Sequence, residues 1–237
     1  MTKEAIIVKN LSKKFRIGFI KKQSALGRFC SFFSGREPKK IIWAVKDVSF
    51  TAYPGEMLGI IGDNGSGKST LLRIIAGIYA PNAGEIKTKG KVVSLINLQS
   101  GLKDRLTMEE NIYLLGSLFG MGQKEIRKKF NQIVEFSELK EFLKTKIYQF
   151  SQGMRHRLFF SIAVYCNPDI LLLDEILEVG DHHFKEKCGK KIKELSRSGT
   201  CVILVSHDMD VIGKYCTRVI KMQSGTILEK EEFKYRF

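Results

Sequence analysis

The sequence predicts an α/β fold with a parallel sheet at its centre, an N-terminal antiparallel β subdomain and a helical subdomain at about residues 101–166. Residues 62–70 read Gly-Asp-Asn-Gly-Ser-Gly-Lys-Ser-Thr and match G-x-x-x-x-G-K-S/T in full, between an apolar strand and a helix. Residues 170–173, Ile-Leu-Leu-Leu, are typical of a parallel strand that is buried on both faces. Because strands and helices alternate after the Gly-rich loop, we expect a P-loop nucleotide-binding core.

Each predicted element follows from the spacing of apolar residues. Residues 4–9 and 41–53 alternate apolar and polar side chains, which is the period of a strand. One phosphate loop and no internal repeat indicate a single domain over residues 1–237. The other predicted elements are, in chain order, a strand at 57–61, a helix from 70, strands at 85–87 and 91–96, a mostly helical stretch at about 107–141, a helix from 151 to about 165, the strand at 170–173, a helix at about 183–196, a strand at 200–206 and short strands around 219–222 and 226–228.

Composition places the chain among soluble globular proteins, with 43% hydrophobic and 27% charged residues. No apolar run reaches the roughly 20 residues that span a bilayer, and Met1–Ala5 lacks the basic-then-apolar layout of a secretory signal. The five cysteines contain no C-x-x-C pair, so we expect reduced, cytosolic thiols that fill the core rather than a metal site.

Positive charge is concentrated near the N-terminus of a chain with net charge +15. Residues 9–40 hold ten Lys and Arg against one acid, Glu37. Within a basic insert at about 18–40, Leu26, Phe29 and Phe33 fall at helical spacing, which favours an amphipathic helix on a membrane or a partner. The alternatives are a helix packed on its own domain, a solvated basic face, or a patch for nucleic acid or a polyanionic substrate.

The Gly-rich loop carries the first predicted site. Gly62, Gly65 and Gly67 let consecutive backbone N–H groups turn inward at a positive helix end, which favours phosphate binding. Lys68 is expected to reach the β- and γ-phosphates of the nucleotide, and the Ser69 hydroxyl to bind Mg²⁺. The remaining residues of the predicted nucleotide loop are Asp63, Asn64, Ser66 and Thr70.

A pair of carboxylates follows the apolar strand at 170–173. Since ligands bind at the carboxyl edge of parallel sheets, Asp174 is expected to hold Mg²⁺ and Glu175 to act as the general base or to orient the attacking water. The alternative is a pair of acids that only closes the strand. His207 follows the apolar strand at 201–205 and is a second catalytic candidate. The alternative is a histidine at the end of a strand whose hydrogen bonds are satisfied by its neighbours.

Ser151 and Gly153 begin a helix and leave a hydroxyl and N–H groups for an anion. The order of all these motifs resembles that of ABC-transporter ATP-binding subunits over essentially the full length. That resemblance implies a head-to-tail homodimer with two ATP molecules at the seam. It implies that Ser151 and Gly153 of one subunit close on the γ-phosphate held by the other, that His207 binds this phosphate, and that Asp181 couples the two sites.

Two further nucleotide residues are implied by the resemblance alone. Phe15 sits where the family places an aromatic residue against adenine, with Trp43 or Ala44 on the other side, although a core role for Phe15 is the alternative. A count along the chain puts Leu98 at the usual place of the Mg²⁺-contacting glutamine, and Gln99 is its candidate if the loop is one residue short.

Four segments resemble the cell-surface polysaccharide exporters, which handle O-antigen, capsule and teichoic-acid chains. They are the basic insert, residues 97–102, Ser-Gln-Gly-Met-Arg at 151–155 and Asp-Glu-Ile-Leu-Glu-Val-Gly-Asp at 174–181. This resemblance implies an ATPase that works with a separate permease, at the cytoplasmic face of the membrane, on a lipid-linked polymer. The alternative is a soluble ABC ATPase that acts on nucleic acid, which the net charge of +15 would suit. Such proteins usually carry two phosphate loops or a coiled-coil insertion, which are not seen here, so no nucleic-acid partner is expected. An importer subunit and a regulatory module that does not turn over ATP are competing interpretations.

Overall fold

A computed structural model describes residues 4–17, 40–96, 101–174 and 181–232, and it confirms the predicted α/β class. Most of the basic insert, Gln99 and Glu175 lie outside these residues. The elements are, in chain order, β1 Ile6–Ile17, β2 Lys40–Ala52, β3 Met57–Ile61, α1 Lys68–Ile75, β4 Ala83–Thr88, β5 Val92–Leu95, α2 Met108–Leu118, α3 Gln123–Ser137, short 3-10 helices at Lys140–Phe142 and Ile147–Gln149, α4 Gln152–Val164, β6 Ile170–Asp174, α5 His182–Arg197, β7 Cys201–Val205, α6 Met209–Tyr215, β8 Arg218–Gln223 and β9 Thr226–Glu232.

The N-terminal sheet is antiparallel, in the order β2-β1-β4. Its apolar face, which includes Ile6, Val8 and Leu11, is buried. The prediction of a first strand at 4–9 is too short, since β1 continues to Ile17 and pairs with β2 up to Lys40. The alternation is lost at the register shifts after Val8, where the strand bulges and its exposed polar residues no longer follow a period of two.

The central sheet has the order β5-β6-β7-β3-β8-β9, parallel except for β9. Residues near its carboxyl edge are in register: Val205 of β7 pairs with Asp174 on one side and with Ile60 on the other. Ile60 in turn pairs with Ile220 of β8. The carboxyl ends of β6, β7 and β3 therefore lie at the same level of the sheet, and α1 packs against β6.

The predicted helical stretch between 107 and 141 consists of two α-helices, α2 and α3. Gly120, with a φ of +80°, separates them. Thr107 begins α2 with a capping box, because its side chain accepts from the Glu110 N–H and the Glu110 carboxylate accepts from the Thr107 N–H. Helices α3, α4 and α5 meet around Phe136, Phe160 and Phe184, and α2 packs against α3 and α4.

The described cysteines are free and buried, as expected of core residues. Burial raises the pKa of the Cys166, Cys188, Cys201 and Cys216 thiols to about 12, which keeps them protonated and inert. In the part of the chain that the structure describes, none of the helices is long and apolar enough to cross a membrane.

Candidate functional site

The phosphate loop runs from the end of β3 to the start of α1 and is held from both sides. A Cβ added to Gly62 would lie 2.1 Å from the carbonyl oxygen of Met222, and one added to Gly67 would lie 2.1 Å from that of Ala44. Both glycines also have positive φ angles, of 146° and 105°. Only glycine fits at these two positions, and its lack of a side chain lets the backbones of β8 and β2 contact the loop directly.

The loop presents unsatisfied polar groups at the start of α1. Gly67 caps this helix without a side-chain hydrogen bond, and its first turn contains no acidic residue. The hydroxyl of Ser66 is buried, and among the described residues it has no hydrogen-bond partner. Uncapped N–H groups at a positive helix end, together with a buried free hydroxyl, are suited to an anion such as a phosphate.

Lys68 brings a positive charge into the same loop. Its side chain is only 6% exposed, and its Nζ donates to the carbonyl oxygens of Gly62 at 2.6 Å and Asp63 at 2.9 Å. Both partners are neutral carbonyl groups, so the positive charge is available to a bound anion. The ammonium is thus already positioned on the inner side of the loop.

The sheet register brings the acidic and histidine candidates to the level of this loop. Asp174 closes β6 and is in the same cross-sheet row as Val205 and Ile60. His207 lies two residues beyond Val205 and is exposed, while the neighbouring Ser206 is buried and its Oγ accepts from the Asp208 N–H at 2.9 Å. Asp208 then caps α6, so that the short helix fixes the loop that carries His207.

The oxygen donors at this edge fit a hard cation. The Ser69 hydroxyl lies in the first turn of α1, which packs on β6, and the Asp174 carboxylate ends β6. One hydroxyl and one carboxylate suit Mg²⁺, which in phosphate sites keeps several waters and takes the phosphate oxygens as further ligands. The described residues include no cluster of three or more His, Cys, Asp or Glu that would hold a metal by themselves.

The second group of predicted residues lies together around another cavity. This cavity, of about 320 Å³, is lined by Leu139, Ser151, Gly153, Met154, Arg157 and Asp181. Ser151 begins α4, and its Oγ accepts from the Met154 N–H at 3.2 Å. Asp181 begins α5, and its Oδ1 accepts from the Phe184 N–H at 2.9 Å. Two helix starts therefore face one cavity, and no residue of the phosphate loop is among those lining residues.

Asp181 is held as a carboxylate. The hydrogen bond from the Phe184 N–H lowers the pKa of Asp181, and the nearby Arg157 guanidinium lowers it further against the effect of desolvation. Arg157 also binds Glu138, which lies at the end of α3. Sequence reasoning missed Arg157, because a single arginine within a helix carries no signal of what it will contact.

Phe15 lies near the end of β1, beyond the residues that pair with β4; it is partly buried and belongs to neither apolar core cluster. Its ring meets Tyr79 edge-on at 5.6 Å, and Lys13 Nζ lies 5.5 Å from its centroid. Ala44 contacts the phosphate loop at Gly67, whereas the Trp43 side chain is 43% exposed. Lys13 Nζ also lies 5.6 Å from the centroid of the Tyr79 ring, so one ammonium lies over both rings. The sequence patterns gave no indication of Tyr79.

Comparisons with known proteins identify the family of the chain. The family model described as "ABC transporter" matches residues 45–178. The chain is 41% identical over 186 residues to the O-antigen export system ATP-binding protein RfbB of Klebsiella pneumoniae, covering 78% of this chain and 76% of the relative. It is 40% identical over 229 residues to the teichoic acids export ATP-binding protein TagH of Listeria innocua, covering 97% of this chain and 67% of the relative.

A similar fold occurs among solved structures. The dimeric structure of a post-hydrolysis state of an ATP-binding cassette, bound to ADP and Pi, superposes with a TM-score of 0.80 at 26% identity and covers 98% of this chain and 100% of that one. The family match spans more than half of the chain, and relatives around 40% identical extend over most of it. The chain therefore belongs to the ABC transporter family.

Proposed function

We propose that the chain is the ATP-binding and ATP-hydrolysing subunit of an exporter that moves a cell-surface polysaccharide or teichoic-acid chain on a lipid carrier. The observation that carries the ATPase function is the phosphate loop, in which a nearly buried Lys68 and a buried, unpaired Ser66 hydroxyl lie at an uncapped helix start. The exporter class rests on the names of the relatives, which are O-antigen and teichoic-acid export proteins.

In this reaction a water molecule attacks the γ-phosphorus of ATP, and the bond from that phosphorus to the β,γ-bridging oxygen breaks to give ADP and phosphate. Lys68 would stabilise the charge on the phosphate oxygens, and Glu175 would accept a proton from the water. His207 would hold the γ-phosphate in line. Ser69, Asp174 and Gln99 would hold Mg²⁺, which neutralises phosphate charge when it is bound. Phe15 would stack on the adenine ring.

The subunit would work as a homodimer. The Ser151 and Gly153 helix start faces a cavity that the phosphate loop does not line, so each chain offers two separate anion-binding groups. A head-to-tail pair would join the loop of one chain to the helix start of the other and complete two sites by symmetry. Dimeric cassettes among the similar structures support this arrangement.

The dimer would lie beneath a membrane permease, at the cytoplasmic face of the inner membrane. The basic and aromatic residues of the insert support a position at the membrane side, against the permease or anionic headgroups. Each basic residue near an anionic membrane surface contributes about 1 kcal/mol to binding. Nucleic acid is not part of this proposal, and the lipid-linked polymer would pass through the permease.

Genetic replacement tests the proposed function as a whole. We expect cells without this chain to lose the polymer from their surface and to accumulate it, still lipid-linked, inside. The wild-type gene should restore export, a Lys68→Ala gene should not, and the tagged chain should co-purify with its permease. Normal surface polymer in cells that lack the chain would refute the exporter assignment.

A further inference from the structure

Arg157 joins the two helix starts that face the second cavity. It lies on α4, six residues after Ser151, and its Nη2 binds the Oδ2 of Asp181 at the start of α5. The other oxygen of Asp181 accepts from the Phe184 N–H. Because both carboxylate oxygens are bound, the Asp181 side chain is fixed in two directions at once, one of them set by α4.

The same guanidinium also reaches the end of α3. Arg157 Nη1 binds Glu138 Oε2 at 2.6 Å, and the opposite oxygen of Glu138 accepts from Lys187 of α5 at 2.9 Å. Glu138 lies at a left-handed C-cap with φ of 60°, and the Arg157 and Lys187 charges outweigh desolvation to lower its pKa. Two of these ion pairs cross from the helices between residues 101 and 166 to α5.

Aromatic packing lies directly beneath this network. The Arg157 guanidinium stands 4.9 Å from the Phe184 ring, and Lys187 stands 4.8 Å from the ring of Phe136. Apolar contacts hold α5 against α3 and α4, although the hydrophobic effect itself is non-directional. Charge-assisted hydrogen bonds with a forked guanidinium do have a required geometry.

Exposed ion pairs usually contribute little, because water and salt screen them. Here the arginine is only 21% exposed at its side chain, it is bound to two carboxylates from two other elements, and it stacks on an aromatic ring. Loss of this one side chain would free one carboxylate oxygen of Asp181 and one of Glu138 together. The loss should therefore change the geometry of the cavity more than it changes the free energy of unfolding.

We propose that Arg157 is a positioning residue that fixes the start of α5 against the start of α4, and so sets the surface that closes over the nucleotide of a second copy. This inference rests on the proposed function. Arg157 would not touch the nucleotide held by its own chain, since that nucleotide belongs to the phosphate loop.

Arg157→Met tests the proposal, because it keeps the length of the side chain and removes both ion pairs. We expect kcat for ATP to fall on the order of tenfold, as for a lost positioning contact, and the protein concentration at half-maximal specific activity to rise. Equilibrium binding of Mg-ATP to the dilute chain should stay within about twofold of wild type. Arg157→Lys, which restores charge without the fork, should recover part of kcat.

Glu138→Gln removes one arm of the network and provides a milder variant. We expect the double variant Arg157→Met/Glu138→Gln to be no slower than Arg157→Met, because partners in one network are not additive. Glu109→Gln is the matched control, since Glu109 of α2 forms an ion pair with Lys144 and does not line the cavity. It should match wild type in kcat and in concentration dependence.

Arg157→Met with wild-type kcat and concentration dependence would overturn the inference and leave the proposed function intact. The inference would also fail if that variant lost nucleotide binding in the dilute chain, or if the two substitutions were additive. A wild-type chain that does not hydrolyse ATP, or whose specific activity is independent of concentration, would instead refute the proposed dimeric ATPase and the inference with it.

Discussion

Lys68 shows how a single residue prepares the site. A lysine that is 6% exposed loses hydration energy unless its charge is compensated, and here the compensation comes from two loop carbonyls. Those bonds hold the ammonium inside the loop, so little reorganisation is needed when phosphate oxygens arrive. Preorganised charge of this kind stabilises a transition state more than a mobile surface lysine does.

We expect Lys68→Ala to lower kcat/KM for ATP by on the order of 10²–10³-fold, the effect of removing a preorganised donor. The fold should persist, because the side chain contacts the loop rather than an apolar core. ATPase assays and thermal melts of the variant and of Lys144→Ala, an exposed lysine, measure this. Normal hydrolysis by the Lys68 variant would show that the loop does not bind the reacting phosphates.

The sequence predicts the roles of those residues that belong to a contiguous motif. Gly62, Lys68 and Ser69 were predictable because the phosphate loop is contiguous. Tyr79 and Arg157 were not, because their partners Phe15 and Asp181 are distant in sequence and only the fold brings them together. Glu175 and Gln99 lie outside the described residues, so their roles stay predictions.

At the scale of elements, helix starts account for most of the site. The starts of α1, α4 and α5 carry the loop, Ser151 and Asp181 respectively. Sequence patterns did not predict the length of β1 or the presence of α6. In β1 the bulges hide the alternation, and α6 has only seven residues, too few for a helical period to stand out.

Ser151→Arg should abolish most ATPase activity, because it places charge and bulk at the helix start that would face the second copy. Thr107→Arg is the matched control, because it also replaces an N-cap residue, in this case that of α2. Each substitution should cost about 1 kcal/mol of stability through the lost helix cap. Only the Ser151 variant should lose ATPase activity when both variants are assayed under conditions in which both are folded. Equal activity of both variants would contradict a seam at Ser151.

The capping box of α2 makes a pH-dependent contribution to stability. Hydrogen bonds from the Thr107 backbone and side chain lower the pKa of Glu110 below 4.5. A carboxylate with a lowered folded pKa stabilises the fold above its unfolded pKa, and this contribution is lost as the pH falls through the folded value. The melting temperature of Glu110→Gln should therefore lie below that of wild type at about pH 7, and the two should converge as the pH falls below the folded pKa of Glu110. A constant difference in Tm would contradict this.

At the scale of the whole molecule, the basic insert is the feature that the nucleotide site does not require. Ile17 and Lys40 are paired residues at the ends of β1 and β2, so an Asn-Gly turn should close the hairpin in place of residues 18–39. We expect this deletion to spare ATPase activity of the isolated chain and to impair export in cells. Unchanged export would show that the insert is only a surface elaboration.

The central claim is that two copies close around ATP and hydrolyse it, and sedimentation of Glu175→Gln with Mg-ATP tests it most directly. We predict a species of twice the mass of the chain with ATP and a single chain without it, together with hydrolysis at least about 10²-fold slower than wild type, the typical loss of a general base. Glu186→Gln, which alters an acid on α5, should hydrolyse ATP normally. A Glu175 variant that binds ATP yet stays a single chain, or that turns over within a few-fold of wild type, would contradict the account.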